Sequence, residues 1–260
     1  PAIWLGGGIL AVVFAAALLA GILYPGDPLD MVGAPFTWPG ADASTPLGTD
    51  LMGRDLAAGL VHGARVSLLV GVSSALVSLL IGIAVGAAAG FYRGPGDGGV
   101  PRITEFFQTI PAFLLAIILV AVLKPTVGTI VFALGITSWT SIARLVRAEF
   151  ISLREREFVK ASVALGASDA HLILREILPN AWTPVVVSTA LLVANAILSE
   201  AGLSFLGLGD PNAVSWGSMI GLGRDALRTA WYMTALPGLA IVLTVLALNL
   251  LSEALHAALN

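Results

Sequence analysis

Cysteine is absent from the 260 residues. That excludes disulfides and thiolate metal sites. Charge is scarce. Only 11% of residues are Asp, Glu, Lys or Arg, against about a quarter in an ordinary soluble domain. So few charges cannot cover a water-facing surface, which points to a chain that crosses a membrane several times. The net charge of −3 gives no basic footprint for nucleic acid. No Gly-x-x-x-x-Gly-Lys-Ser/Thr occurs, so the chain has no phosphate-binding P-loop of its own. His62, His171 and His256 are scattered without metal-ligand spacing, and no metal site is expected. Ser204 and His256 are a conceivable protease pair, but no Gly-x-Ser-x-Gly elbow accompanies them.

What is present is hydrophobic, at 57% of residues. A helix needs about 20 apolar residues to cross the hydrocarbon. Six segments qualify: Ala2–Tyr24, Val66–Tyr92, Ile103–Leu123, Gly128–Val146, Trp182–Leu206 and Met233–Leu255. The expected fold is all-α and polytopic. The first segment lacks a basic n-region and a cleavage site, so it reads as a spanning helix and not a signal peptide. The chain opens almost directly in that segment, and a cytoplasmic stretch ahead of it is expected. Residues 25–65 form a long loop ending in a surface helix capped by Thr49 or Asp50, with Asp50 and Arg54 paired at i,i+4. Residues 93–102 read as a short turn. Residues 207–232 read as a loop, with Trp216 and Trp231 suited to a membrane interface.

Basic residues set the orientation. Arg93, Arg102, Arg144, Arg147, Arg154, Arg156, Lys160 and Arg175 share one side. Arg54, Arg65, Lys124, Arg224 and Arg228 share the other, mixed with more acids. The first side is expected in the cytoplasm, together with both termini.

The densest charge lies in residues 147–180. "ARLVRAEFISLREREFVKASVALG" is expected to continue the fourth helix out of the membrane, its apolar residues recurring near helical spacing. Gly166 breaks that helix. Ser168 or Asp169 caps a second one of about ten residues, roughly 15 Å long, which Pro179 ends or kinks. The product is a helix–Gly–helix elbow. It suits docking to a soluble partner. A solvated cytoplasmic loop is the plainer alternative.

"KASVALGASDAHLILREILPN" resembles the EAA loop of bacterial ABC-importer permeases. Lys160-Ala161-Ser162, Gly166 and Leu178-Pro179 fall at the motif positions. "PLGTDLMGRD", "GARVSLLVG", "ARLVRAEFISLREREFV", "AILSEAGLSFLGLG", "SWGSMI" and "PGLAIVLTVLALNLL" resemble the second permease subunit of dipeptide, oligopeptide and nickel importers, from about Pro46 onward. Lys160 stands where the motif has Glu, Ser162 where it has a second Ala, and Glu176 where His or Ile is expected.

The resemblance implies the type I ABC-importer permease fold in a bacterial cytoplasmic (inner) membrane. Residues 1–65 would hold the first helix and the long periplasmic loop. Residues 66–260 would hold a five-helix core with a coupling loop at about 147–180. Implied partners are a homologous second permease in a heterodimer, two ATPase subunits that bind ATP and Mg, and a periplasmic or lipid-anchored substrate-binding protein. The chain itself would carry no cofactor and no catalysis. Glu157, Lys160, Ala161, Ser162, Gly166, Ala167, Ser168 and Asp169 would contact an ATPase. Peptides are the expected cargo, with nickel chelates, opines or other small solutes as alternatives. A secondary transporter would show inverted repeats with broken helices, and none is seen.

Glu200 lies near the outer end of the fifth segment. An intramembrane carboxylate is costly and faces partners or water. It reads first as an interfacial carboxylate paired with a loop donor, and otherwise as a pathway residue beside Asn195. Asn195 and Asn249 read more readily as interhelical hydrogen-bond formers.

Overall fold

The computed structural model describes residues 2–92 and 99–259. In chain order the helices are α1 (Ala2–Leu23), α2 (Leu56–Phe91), α3 (Gly99–Thr109), α4 (Ala112–Leu123), α5 (Val127–Arg154), α6 (Glu157–Ala164) and α7 (Asp169–His171). A π-helix (Leu172–Ile177) leads into α8 (Leu178–Asn180). Then follow α9 (Trp182–Phe205), α10 (Trp216–Gly223) and α11 (Tyr232–Leu259). The described residues contain no strand, only isolated bridges such as Met31 with Arg54.

α1, α2, α5, α9 and α11 are each long and apolar enough to cross a bilayer. The sixth expected span is not straight. α3 and α4 meet at 79°, and together they make one crossing only if the bent pair is counted so. Pro111 sits at the break. It has no N–H to donate, and its ring drives the preceding residue out of the helical region. Of the expected turn at 93–102, residues 93–98, Arg93 included, lie outside the described residues. From Gly99 the chain is already helical.

α2 begins ten residues earlier than its apolar run suggests and has 36 residues. Asp55 caps it, accepting from Ala57 N–H at 2.9 Å. The expected surface helix from Thr49 or Asp50 does not form, because both side chains are committed to a tight turn. Thr49 Oγ1 donates to Ala34 O and accepts from Thr37 N–H. Asp50 Oδ1 accepts from the N–H groups of Met52 and Arg54. The expected Asp50–Arg54 ion pair is thus a bond to backbone. The boundary expected at residue 65 falls inside α2.

α2 and α5 lie side by side through Gly82, Gly86 and Gly90. A Cβ at Gly86 would stand 2.5 Å from Ala143 O, and one at Gly90 2.5 Å from Phe150 Cβ. Small residues four apart let two backbones approach where no hydrophobic force separates helix from lipid.

The expected continuous helix from 143 to 166 is also broken. α5 stops at Arg154, and Arg156 is extended at φ −73°, ψ 148°. The break turns α6 so that Val159 drops, 1% exposed, among Phe91, Val146, Phe150, Leu172 and Ile177. Burial of those side chains outweighs the helical bonds lost.

One end of the bundle carries the long loop and α10, with the C-termini of α1 and α9 and the N-termini of α2, α5 and α11. Tyr232 Oη donates to Thr37 O at 3.1 Å, and Val127 N–H to Asp210 Oδ2 at 3.0 Å. The opposite end carries α6 to α8, together with residues 2 and 259.

Candidate functional site

The elbow between α6 and α7 is built by local chemistry. Gly166 has φ +83°, a region that side-chain-bearing residues rarely adopt. Around it, Ala167 N–H donates to Ser162 O at 3.0 Å and Gly166 N–H to Val163 O at 3.0 Å. That pair of bonds is a Schellman motif, and it satisfies the last carbonyls of α6. Ser168, not Asp169, caps the second arm, its Oγ accepting from His171 N–H at 3.3 Å.

Pro179 does not end the second arm; the irregular turn lies just before it. Its ring crowds the carbonyl of Arg175 and supplies no donor, and the turn ahead of it widens into the π-helix. Asn180 Nδ2 donates to Glu176 O at 2.6 Å.

The elbow has a packed side and an open side. Val159, Leu172 and Ile177 anchor it on the ends of α2 and α5. Arg154 NH1 donates to Phe91 O, and its guanidinium lies 4.6 Å from the Phe91 ring centroid. On the open side Leu165 is 89% exposed, with Phe158, Val163 and Leu174 also exposed. Of the sequence-predicted residues, Glu157, Lys160, Ala161, Gly166, Ser168 and Asp169 are exposed, and Ser162 and Ala167 half-buried. Lys160 Nζ stands 3.6 Å from Glu155 Oε2, with both groups in solvent, a pairing worth little. All eight lie along α6, the Gly166 turn and the start of α7, beside the exposed Leu165.

Glu200 sits at the other end. Its side chain is buried at 2% exposure, and Oε1 accepts from Ser204 Oγ at 2.6 Å and Ser215 Oγ at 2.7 Å. Ser215 also caps α10 in a reciprocal box with Ser218. Trp216 N–H donates to Ser67 Oγ at 3.2 Å, and its indole Nε1–H to Leu60 O at 2.9 Å. This carboxylate binds α10 into the groove between α2 and α9.

α10 lies where the sequence reads as loop, and Trp216 is buried instead of interfacial. The available signal was Ser215-Trp-Gly-Ser218, a capping box with Ser at the position usually held by Glu or Gln. Asn195 is exposed and Asn249 half-buried, and among the described residues neither side chain bonds another helix. Ser204 and His256 lie at opposite ends of the bundle. A cavity of about 430 Å³ opens between α10 and the long loop, beside Asp55, Phe205, Met219 and Met233.

Residues 82–260 match the family described as "Binding-protein-dependent transport system inner membrane component". The chain belongs to that family. As a permease it is 40% identical over 258 residues to the di/tripeptide transport system permease protein DppC of Pseudomonas aeruginosa, covering 97% of this chain and 85% of that one. It is 41% identical over 258 residues to a probable peptide ABC transporter permease of Sinorhizobium fredii, covering 98% and 87%. In structure it is similar to the MetNI methionine ABC transporter in an inward facing conformation, with a TM-score of 0.63 over 78% of this chain and 96% of that one, at 21% identity. The permease thus has the fold of ABC importers and is a non-catalytic membrane subunit of such a system.

Proposed function

We propose that this permease forms half of the pathway of an ATP-driven peptide importer. Its near-full-length similarity to peptide permeases supports the cargo. The pathway would lie between it and a homologous second permease, with Asn195 of α9 on the lining. Glu200, enclosed by hydroxyls, would serve to hold α10. The elbow end would face the cytoplasm and the loop end the binding protein.

The observation that carries the reading is the elbow. Its rigid base rests on α2 and α5, and its tip offers apolar side chains to a groove in an ATPase. Glu157, Lys160, Ala161, Ser162, Gly166, Ala167, Ser168 and Asp169 would form that contact. ATP and Mg would be bound by the ATPases. Their closure would push the elbow, and packed helices would move as bodies between two arrangements.

Reconstitution in liposomes tests this. The lone chain should hydrolyse no ATP and take up no peptide. With the partner permease, the ATPases and a peptide-loaded binding protein, hydrolysis should rise and labelled di- or tripeptide should accumulate. Gradient-driven uptake by the lone chain would reject the proposal. Uptake of nickel chelate with no uptake of peptide would change the cargo.

A further inference from the structure

One side chain makes a polar tie between the two arms of the elbow. Glu176 Oε1 accepts from Ser162 Oγ at 3.0 Å and stands 3.5 Å from His171 Nε2. Ser162 lies in α6, before the Gly166 turn. Glu176 lies in the π-helix beyond it. The Schellman bonds and the Ser168 cap fix the backbone of the turn itself. At the base of the elbow, Val159 of the first arm shares one buried cluster with Leu172 and Ile177 of the second. The Ser162–Glu176 bond adds a second, polar tie between the arms, nearer the tip than Val159. Glu176 is 23% exposed and His171 43%, so the bridge lies on the flank of the elbow and leaves the apolar tip uncovered.

These are also positions where the sequence departs from the EAA pattern. Ser replaces Ala at 162, and Glu replaces His or Ile at 176. The two departures are each other's partner. An alanine at 162 would have no hydroxyl to donate, so such a bridge needs the serine.

We propose that Glu176 is a positioning residue for coupling to the ATPase. Through Ser162 it sets the angle at which the tip meets its partner. The inference rests on the coupling reading of the elbow. A braced elbow passes ATPase closure to α2 and α5. An unbraced one absorbs part of that movement by flexing at Gly166, and hydrolysis then proceeds with less transport.

The test uses the complete reconstituted complex and reads peptide taken up per ATP hydrolysed. Ser162→Ala, Glu176→Ala and the double substitution should each lower that ratio by the same factor, about three- to tenfold, because each cuts one shared link of net hydrogen-bond strength. Glu176→Gln keeps a carbonyl acceptor for Ser162 and should recover most of the ratio. A wild-type ratio in Glu176→Ala, or single effects that multiply in the double variant, would overturn the brace. Where Glu176→Ala fails to assemble with the ATPases, Ser162→Ala decides alone: a lowered ratio supports the brace and an unchanged one rejects it. Failure of the coupling reading is distinct. In that case the unmodified complex itself would take up peptide without regard to ATP.

Discussion

At the scale of single residues, Gly166 is the most constrained position in the elbow. No atom crowds its missing Cβ, so the constraint is the backbone angle and not space. Gly166→Val forces a β-branched residue to φ +83°, at a local cost of about 1–3 kcal/mol. Gly166→Asn should be milder, because asparagine tolerates the left-handed region. The expected order of ATP-driven uptake is Gly, then Asn, then Val, with comparable amounts of each permease in the membrane. Equal uptake by Gly166→Val would show that the turn geometry is dispensable. This glycine was legible in the sequence, because a charged segment with apolar spacing stopped at it and a hydroxyl followed at the cap position. Glu200 was legible as a costly carboxylate. Its two serine donors were not, since Ser215 reaches it only once α10 has folded back.

At the scale of elements, the long apolar runs announced themselves and their ends did not. Residues 56–65 hold His62, Arg65 and five small residues, which breaks the apolar signal but not the helix. In the structure His62 Nε2 lies 3.0 Å from Tyr24 O, and Arg65 Nε donates to Ala17 O at 3.0 Å, so both polar groups find carbonyls on or just beyond α1. The bend at Pro111 and the break at Arg156 were hidden for different reasons. A proline can kink a span or pass through it, and Arg156 has no local signature, since burial of Val159 decides its conformation. The seam of Gly82, Gly86 and Gly90 makes a direct prediction. Gly86→Ile would drive a side chain into Ala143 O and Val146 and part α2 from α5. The variant should lose thermal stability in detergent and release the elbow cluster with it. Gly8→Ile in α1, where no atom lies within 4 Å of the added carbon, should be tolerated. Equal melting of the two variants would refute the seam.

At the scale of the whole molecule, the orientation rests on the unequal distribution of arginine and lysine. The cysteine-free chain allows a clean measurement. Single cysteines at Ser44 and Asn212, both exposed at the loop end, should react in intact cells with an impermeant thiol reagent. A cysteine at exposed Ser168 should react only after lysis. Labelling of position 168 from outside would invert the molecule and remove the elbow from any ATPase. Five of the six long apolar runs are single spans, as their length and apolarity indicated, and the sixth is the bent α3–α4 pair. The burial of α10 was not legible, because it depends on contacts across more than a hundred residues. α2 has a mechanical consequence. At 1.5 Å per residue its 36 residues measure about 54 Å, against a hydrocarbon core of about 30 Å. It holds Leu60 and Ser67 against Trp216 of α10 in its first third and Phe91 in the elbow cluster at the far end. The loop end and the elbow end are therefore mounted on one stiff rod. A tilt imposed at either tip arrives at the other as displacement, with no relay of switching side chains between them.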